Sequence, residues 1–105
     1  MIVYIAGPIT GTTDAAERFA AAERQLNEAG FTDVINPTQV QLGDGATWLD
    51  YMRATVRLLA QADGVCLLDG WHRSRGARVE QMWARGVGLR VGRLDEWLSV
   101  GRSLI

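Results

Sequence analysis

The sequence contains no lysine, and it has only one cysteine, one histidine and two prolines. All 11 basic residues are therefore arginines, and the 12 acidic residues bring the net charge to −1. This balance excludes the strongly basic field that attracts nucleic acids. The single cysteine, Cys66, cannot form an intramolecular disulfide and fits a reducing compartment. A lone histidine, His72, without further grouped ligands predicts no metal site.

Long apolar runs and the common nucleotide-binding fingerprints are also missing. No apolar stretch reaches the length of a membrane span, and the first residues lack the charged-then-apolar pattern of a signal peptide. We therefore expect a cytoplasmic protein without a membrane partner. The loop from Gly7 to Gly11 is neither a G-x-G-x-x-G motif nor a lysine-containing phosphate loop. By itself it predicts a turn.

Strand-like and helix-like patterns alternate along the 105 residues, which are enough for one domain, residues 1–105, with a real core. This order predicts a three-layer α/β domain with a four- to five-stranded, mainly parallel sheet. The first strand should lie inside the sheet, because its apolar run does not alternate with polar residues. The strands are expected at 1–6, 33–36, 65–68 and 89–92, and the helices at about 14–29, 48–61 and 75–87, with a terminal turn or two at 95–100.

The third helix carries a glutamate on its apolar side. At about 100° per residue, Glu80 shares a face with Ala77 and Ala84, so its carboxylate should point toward the sheet. A buried carboxylate is costly unless it is compensated, and compensated carboxylates are enriched at functional sites. The helix begins near Ser74 and Gly76, where free backbone N–H groups favour anions. Glu80 is thus either a functional group or a structural glutamate bonded to a backbone N–H or an arginine.

Four further features of the sequence each allow two interpretations. Thr55 lies in the apolar stripe of the second helix, although a backbone carbonyl can satisfy a hydroxyl there. Trp48 and Trp71 either stack on a base or form edges of the core. The long loop 38–46 suggests a lid or a site wall. Val79 and Met82 extend the apolar arc of the third helix, which suggests a homodimer or larger oligomer, unless the C-terminal segment covers them.

Four short motifs occur in order along the chain: Tyr4-Ile5-Ala6-Gly7-Pro8, an aspartate at 63 before an apolar strand, Gly70-Trp71, and Ser74-x-Gly76-Ala77-x-x-Glu80. Together they resemble the nucleoside 2-deoxyribosyltransferase-like superfamily, especially its compact, often phage-encoded branch. The resemblance covers about residues 1–92. It implies a flavodoxin-like or Rossmann-like fold and cleavage of N-glycosidic bonds in deoxynucleosides or their 5′-monophosphates, without a cofactor.

The resemblance also implies roles for individual residues. Glu80 would attack the anomeric carbon of deoxyribose, with Tyr4 beside the sugar and the nucleophile. The helix N-terminus would keep Glu80 ionised. Ser74 and the backbone near Gly76 would contact a 5′-phosphate. The remaining candidate substrate-binding residues are Gly7, Pro8, Thr10, Thr55 and Trp71.

Two departures from the superfamily pattern matter. Thr55 stands where related enzymes have an aspartate that handles the leaving base, and a hydroxyl is no general acid at neutral pH. Either Asp69 or Asp50 substitutes, or catalysis is slow or absent. Pro8 and Thr10 replace a serine and an arginine of the phosphate loop, which leaves the phosphate preference open. We therefore expect a deoxyribosyl hydrolase or transferase; the alternatives are an inactive nucleotide-binding sensor or sequestering protein, and an interaction module.

Overall fold

The computed structural model describes residues 1–103 and has a four-stranded, fully parallel sheet with helices on both faces. The strand order β2-β1-β3-β4 puts β1 in the interior, as the sequence predicts. The predicted three-layer, flavodoxin- or Rossmann-like α/β fold is thus confirmed; residues 104 and 105 of the expected domain lie outside the described residues. The strands are β1 (Ile2–Ala6), β2 (Asp33–Ile35), β3 (Gly64–Leu67) and β4 (Arg90–Arg93), and the helices are α1 (Ala15–Glu28), α2 (Trp48–Leu59), α3 (Arg75–Gly86) and α4 (Leu94–Ser103).

The side chains of β1 alternate between two apolar clusters. Val3 and Ile5 pack with residues of α1 and α4 on one face of the sheet. Tyr4 and Ala6 pack with residues of α2 and α3 on the other face. This is the two-residue period of a strand that is buried on both sides. As a result, the Tyr4 side chain lies on the face that also carries Glu80.

The starts of α2 and α3 are fixed by side-chain caps. Thr47 Oγ1 accepts a hydrogen bond of 3.1 Å from the backbone N–H of Asp50, and the Asp50 carboxylate accepts one of 2.9 Å from the Thr47 N–H. This is the predicted capping box. Ser74 Oγ accepts a hydrogen bond of 3.2 Å from the Ala77 N–H and caps α3. Because such caps satisfy N–H groups that lack an intrahelical partner, they hold the first turns of both helices in place.

The C-terminal segment is longer than predicted. Instead of a turn or two at 95–100, the ten-residue helix α4 packs against the α1 side of the sheet. The buried Trp97 stabilises it, because its Nε1 donates a hydrogen bond of 2.9 Å to the Val65 carbonyl. A side chain at Gly64 would put a Cβ 2.4 Å from this indole ring. The packing of Trp97 thus anchors α4 on the sheet, a tertiary contact that no local sequence pattern reveals.

The position of α4 shows whether the C-terminal segment covers the apolar side chains of Val79 and Met82. It lies across the sheet from α3, so within residues 1–103 the C-terminal segment leaves Val79 and Met82 exposed. No helix in the described part of the chain combines the length and the apolar character required to cross a bilayer.

Candidate active site

A cavity of about 340 Å³ opens beyond the carboxyl end of β1, next to the first turns of α2 and α3. Its position agrees with the general rule that parallel α/β sheets bind ligands at the carboxyl ends of their strands. Its volume is within the range of small-molecule sites. The lining residues are Gly7, Ile9, Thr10, Trp48, Tyr51, Met52, Arg73, Ser74, Arg75, Gly76, Ala77 and Glu80.

Glu80 lies at the wall of this cavity and is only 6% exposed. The Tyr4 hydroxyl donates a hydrogen bond to Glu80 Oε2. Tyr4 is fully buried and stands behind the carboxylate, outside the cavity lining. The bond joins residues that are 76 positions apart, so it ties α3 to the central strand. This arrangement fixes the orientation of the Glu80 carboxylate and leaves its face toward the cavity.

Burial dominates the acid–base properties of this pair. It raises the pKa of Glu80 from 4.5 to about 7, although the hydroxyls of Tyr4 and Thr55 act in the opposite direction and favour the charged form. Burial and the neighbouring Glu80 raise the pKa of Tyr4 well above its ordinary value. The helix N-terminus therefore does not outweigh burial, and at pH 7 the ionised and protonated forms of Glu80 are present in similar amounts. The macrodipole acts within the first turn, and Glu80 is the sixth residue of α3.

We expect this pKa to make the stability pH-dependent. The pKa of Glu80 is higher in the folded protein than in the unfolded chain, where it is near 4.5. The protonated carboxyl group therefore stabilises the folded state fully below pH 4.5, and this stabilisation is lost as the pH rises through about 7. Relative to Glu80→Gln, the free energy of unfolding of the wild type should fall by about 3 kcal/mol between pH 4.5 and pH 8. Urea unfolding of both proteins across this range measures it. If the free energies of unfolding of the wild type and of Glu80→Gln depended on pH in the same way, the raised pKa of Glu80 would be contradicted.

Four of the residues predicted for the site, besides Glu80, come together in the cavity lining: Gly7, Thr10, Ser74 and Gly76. Ser74 uses a lone pair of its oxygen for the cap of α3, and its hydroxyl hydrogen remains available as a donor. At Gly76 a Cβ would lie 3.2 Å from Met52 Sδ. A glycine at this position therefore lets α3 begin close against α2.

Besides Tyr4 and Thr55, three predicted residues lie outside this lining: Asp69, Pro8 and Trp71. Asp69 instead lines a second cavity beside Arg18, whose guanidinium donates a hydrogen bond of 2.8 Å to the Asp69 carbonyl. The reason is that β3 ends at Leu67 and the chain then turns, with Gly70 at φ 84°, so strand alternation no longer directs the aspartate. Pro8 is near Gly70, and Trp71 packs on the apolar cluster of the α2–α3 face. In the described structure, loop 38–46 likewise contributes no residue to the lining.

Asp50, the other candidate for an acid, is also poorly suited, and Thr55 does not face the cavity. Asp50 is held in the capping box, and its hydrogen bonds with Thr47 lower its pKa, so it stays ionised. Thr55 is only 1% exposed, and its hydroxyl donates to the Met52 carbonyl at 3.3 Å. Among the described residues that line the cavity, Glu80 is the only carboxylic acid.

Sequence reasoning missed Ile9 and Tyr51 as lining residues and left the role of Trp48 open. The Arg75 guanidinium lies 3.9 Å from the centroid of the Trp48 ring, a cation–π contact that connects the first turns of α2 and α3. Tyr51 precedes Thr55 by four residues on α2. This spacing places two side chains on one helix face, so the stripe that contains Thr55 was a usable signal for Tyr51.

Comparisons with known proteins identify a family for this chain. Among the described residues, no three histidine, cysteine, aspartate or glutamate side chains are grouped to hold a metal ion. Neither the curated proteins nor the solved structures contain a match. A family match, described as a domain of unknown function (DUF4406), covers residues 1–92, which include all four strands except the last residue of β4, and every residue of the cavity lining. The chain therefore belongs to the DUF4406 family.

Proposed function

We propose that this protein cleaves the N-glycosidic bond of deoxynucleosides or their 5′-monophosphates, with Glu80 as the nucleophile. A Glu80 carboxylate oxygen bonds to C1′ of the deoxyribose while the C1′–N bond breaks and its electron pair leaves with the base. Water, or a second base, then attacks C1′, and the ester bond to Glu80 breaks. The protein is a hydrolase in the first case and a transferase in the second.

The observation that carries this proposal is the buried Glu80 carboxylate, held by a hydrogen bond from Tyr4 against a cavity of small-molecule size. A protein that only bound anionic nucleotides would gain little from a carboxylate in this place, since it repels phosphate. A carboxylate nucleophile next to an oxocarbenium-like carbon is the usual chemistry of retaining glycoside cleavage. The motif resemblance to the nucleoside 2-deoxyribosyltransferase-like superfamily leads to the same reaction.

The charges along the cavity support a substrate with a negative end. Arg73 and Arg75 belong to the lining together with Ser74, and Trp48 holds the Arg75 guanidinium at one side. Guanidinium groups and a helix N-terminus both favour phosphate. They supply positive charge that the loop at Pro8 and Thr10 lacks. This distribution favours the 5′-monophosphates over the uncharged deoxynucleosides as substrates.

One observation favours a second candidate function. The described cavity lining has no carboxylic acid besides Glu80 that could protonate a departing base. A protein with this pocket but without turnover would act as a nucleotide sensor or a sequestering factor. The buried thiol of Cys66 supports the reducing, cytoplasmic location that either function would have.

A substrate panel tests the proposal and separates the two candidates. The protein is incubated with the four common deoxynucleosides and with their 5′-monophosphates, and free base is followed by chromatography. Binding of each compound is measured in parallel by calorimetry. We expect base release from at least one compound, faster with the monophosphates, and none with Glu80→Ala. Binding without base release from any compound would establish the second candidate instead.

We also propose that the protein forms a homodimer or a larger homo-oligomer through the α2–α3 apolar surface, made up of Leu49, Val56, Val79 and Met82. Leu49, Val79 and Met82 are exposed, although they are large apolar side chains. Leu49, Val56 and Val79 line a groove that shares Trp48 and Met52 with the candidate active site. Exposed apolar patches of this kind commonly mark interfaces.

Light scattering at tens of micromolar should therefore give at least twice the mass of one chain. Val79→Arg should shift the protein to the monomer, because it places a charge within the surface. Leu42→Arg is the matched control, since Leu42 is also exposed but lies in the loop before α2. A monomeric wild type, or equal effects of the two substitutions, would contradict this assembly.

A further inference from the structure

The cavity needs a group that stabilises the departing base, and two hydroxyls near Glu80 are unavailable for this task. Tyr4 is fully buried, and its hydroxyl is committed to the Glu80 carboxylate. The Thr55 hydroxyl is buried, since only 1% of the residue is exposed, and Thr55 is not among the residues that line the cavity. Both groups are thus behind the wall of the cavity and do not reach a bound base.

Tyr51 has the position that these two residues lack. It precedes Thr55 by one helical turn, is half-buried, and lines the cavity together with Glu80. Its hydroxyl donates to the Pro37 carbonyl at 3.4 Å, much longer than the usual 2.7–2.8 Å of an O–H···O bond. A bond of this length holds the phenol weakly, so its proton can be redirected to a ligand at little cost.

The electrostatics of the cavity keep this phenol protonated. Burial, and then the charge of Glu80, raise the pKa of Tyr51 to about 12. Glu80 itself loses its proton near pH 7. Between these two values the nucleophile is ionised while the phenol still carries its hydrogen. An O–H donor and a carboxylate nucleophile therefore coexist in one cavity over the whole range from neutral to alkaline pH.

We infer that the Tyr51 hydroxyl donates a hydrogen bond to the departing base and thereby takes the part that Thr55 cannot play. The inference rests on the proposed function. The C1′–N bond breaks, its electron pair stays on the base, and the Tyr51 O–H hydrogen bond stabilises the negative charge that develops there. The proton remains on Tyr51, and water protonates the free base after its departure. Tyr51 acts as a preorganised donor to a developing anion, the kind of interaction that contributes most in a water-poor site.

Tyr51→Phe tests this role, because it removes the donor and keeps the ring. Wild type and variant are compared on two substrate pairs, each offered as the deoxynucleoside and as its 5′-monophosphate: 2′-deoxyuridine with 5-fluoro-2′-deoxyuridine, and 2′-deoxyguanosine with 7-methyl-2′-deoxyguanosine. The modified base of each pair leaves more easily, since fluorine stabilises the uracil anion and the methylated guanine departs without net negative charge. Both members of a pair are measured on the same protein sample, as kcat and KM.

With the unmodified substrate that the wild type turns over, we expect kcat to fall by about 10²-fold, with KM almost unchanged. With its modified partner the loss should be less than about tenfold, because that base needs less stabilisation. Equal losses on both members of a pair, as a folding or packing defect would produce, overturn the inference, and so does an unchanged kcat. Should the wild type release no base from any of these compounds or from any compound of the panel above, the proposed function fails and this inference with it.

Discussion

Glu80→Gln should lower the rate of base release on the order of 10⁴–10⁶-fold, as expected when the nucleophile of a covalent mechanism is removed. The amide of glutamine is neutral and does not attack C1′. Its oxygen still accepts the hydrogen bond that Tyr4 donates to the carboxylate, so the buried contact between α3 and β1 is kept. Free base released from the best substrate of the panel, measured in single-turnover conditions, gives the size of the effect.

A second glutamate supplies the matched control. Glu23 is half-buried on α1 and accepts a hydrogen bond of 3.1 Å from Asn36 Nδ2, on the other side of the sheet from the cavity. Glu23→Gln should keep the wild-type rate. Substrate binding should survive in both variants, because Glu80 acts on the reacting carbon and contributes little to ground-state affinity. A Glu80→Gln protein within tenfold of the wild-type rate would exclude Glu80 as the nucleophile.

Thr55→Asp should raise the rate of base release, because it restores a carboxylic acid beside the nucleophile. General acid catalysis typically contributes on the order of 10²–10⁴-fold. Thr55 is near both Tyr4 and Glu80, and its hydroxyl favours the ionised form of the glutamate. The carboxyl oxygens of an aspartate lie one bond further from the backbone than the threonine hydroxyl, and a proton shared with Glu80 should hold the aspartate beside the nucleophile. Two carboxylates in a buried site do not ionise together, so one of them stays protonated and serves as the acid.

The same substitution should lower the stability. Since the shared proton raises a pKa in the folded state, the penalty should be small below pH 4 and grow as the pH rises toward neutrality. Urea unfolding measures this cost, and Thr55→Asn is the control of equal size that has no acidic proton. If Thr55→Asp folds, binds nucleotide and remains as inert as an inert wild type and Thr55→Asn, loss of the acid does not limit this protein. The nucleotide-binding function would then be preferred.

The sequence predicted the parts of the site that depend on local periodicity. A helix of known phase directs Glu80 toward the sheet, whatever that helix packs against. A strand buried on both faces needs an unbroken apolar run, which puts β1 inside the sheet. The caps at Thr47 and Ser74 follow from polar side chains just before helical patterns. These features depend on backbone geometry within a few residues, so the sequence by itself determined them.

The tertiary structure decided which of these groups meet and how they ionise. The hydrogen bond from Tyr4 to Glu80 joins residues on β1 and α3, and the raised pKa of Glu80 comes from the burial that this packing produces. Asp69 lies outside the cavity lining because a turn follows β3, and Tyr51 belongs to the lining because α2 lies beside α3. Contacts between distant segments depend on how helices pack on the sheet and on where turns begin. The periodicity of a single helix or strand encodes neither the packing of helices on the sheet nor the positions of turns. Only the tertiary structure therefore determined which residues form the candidate site.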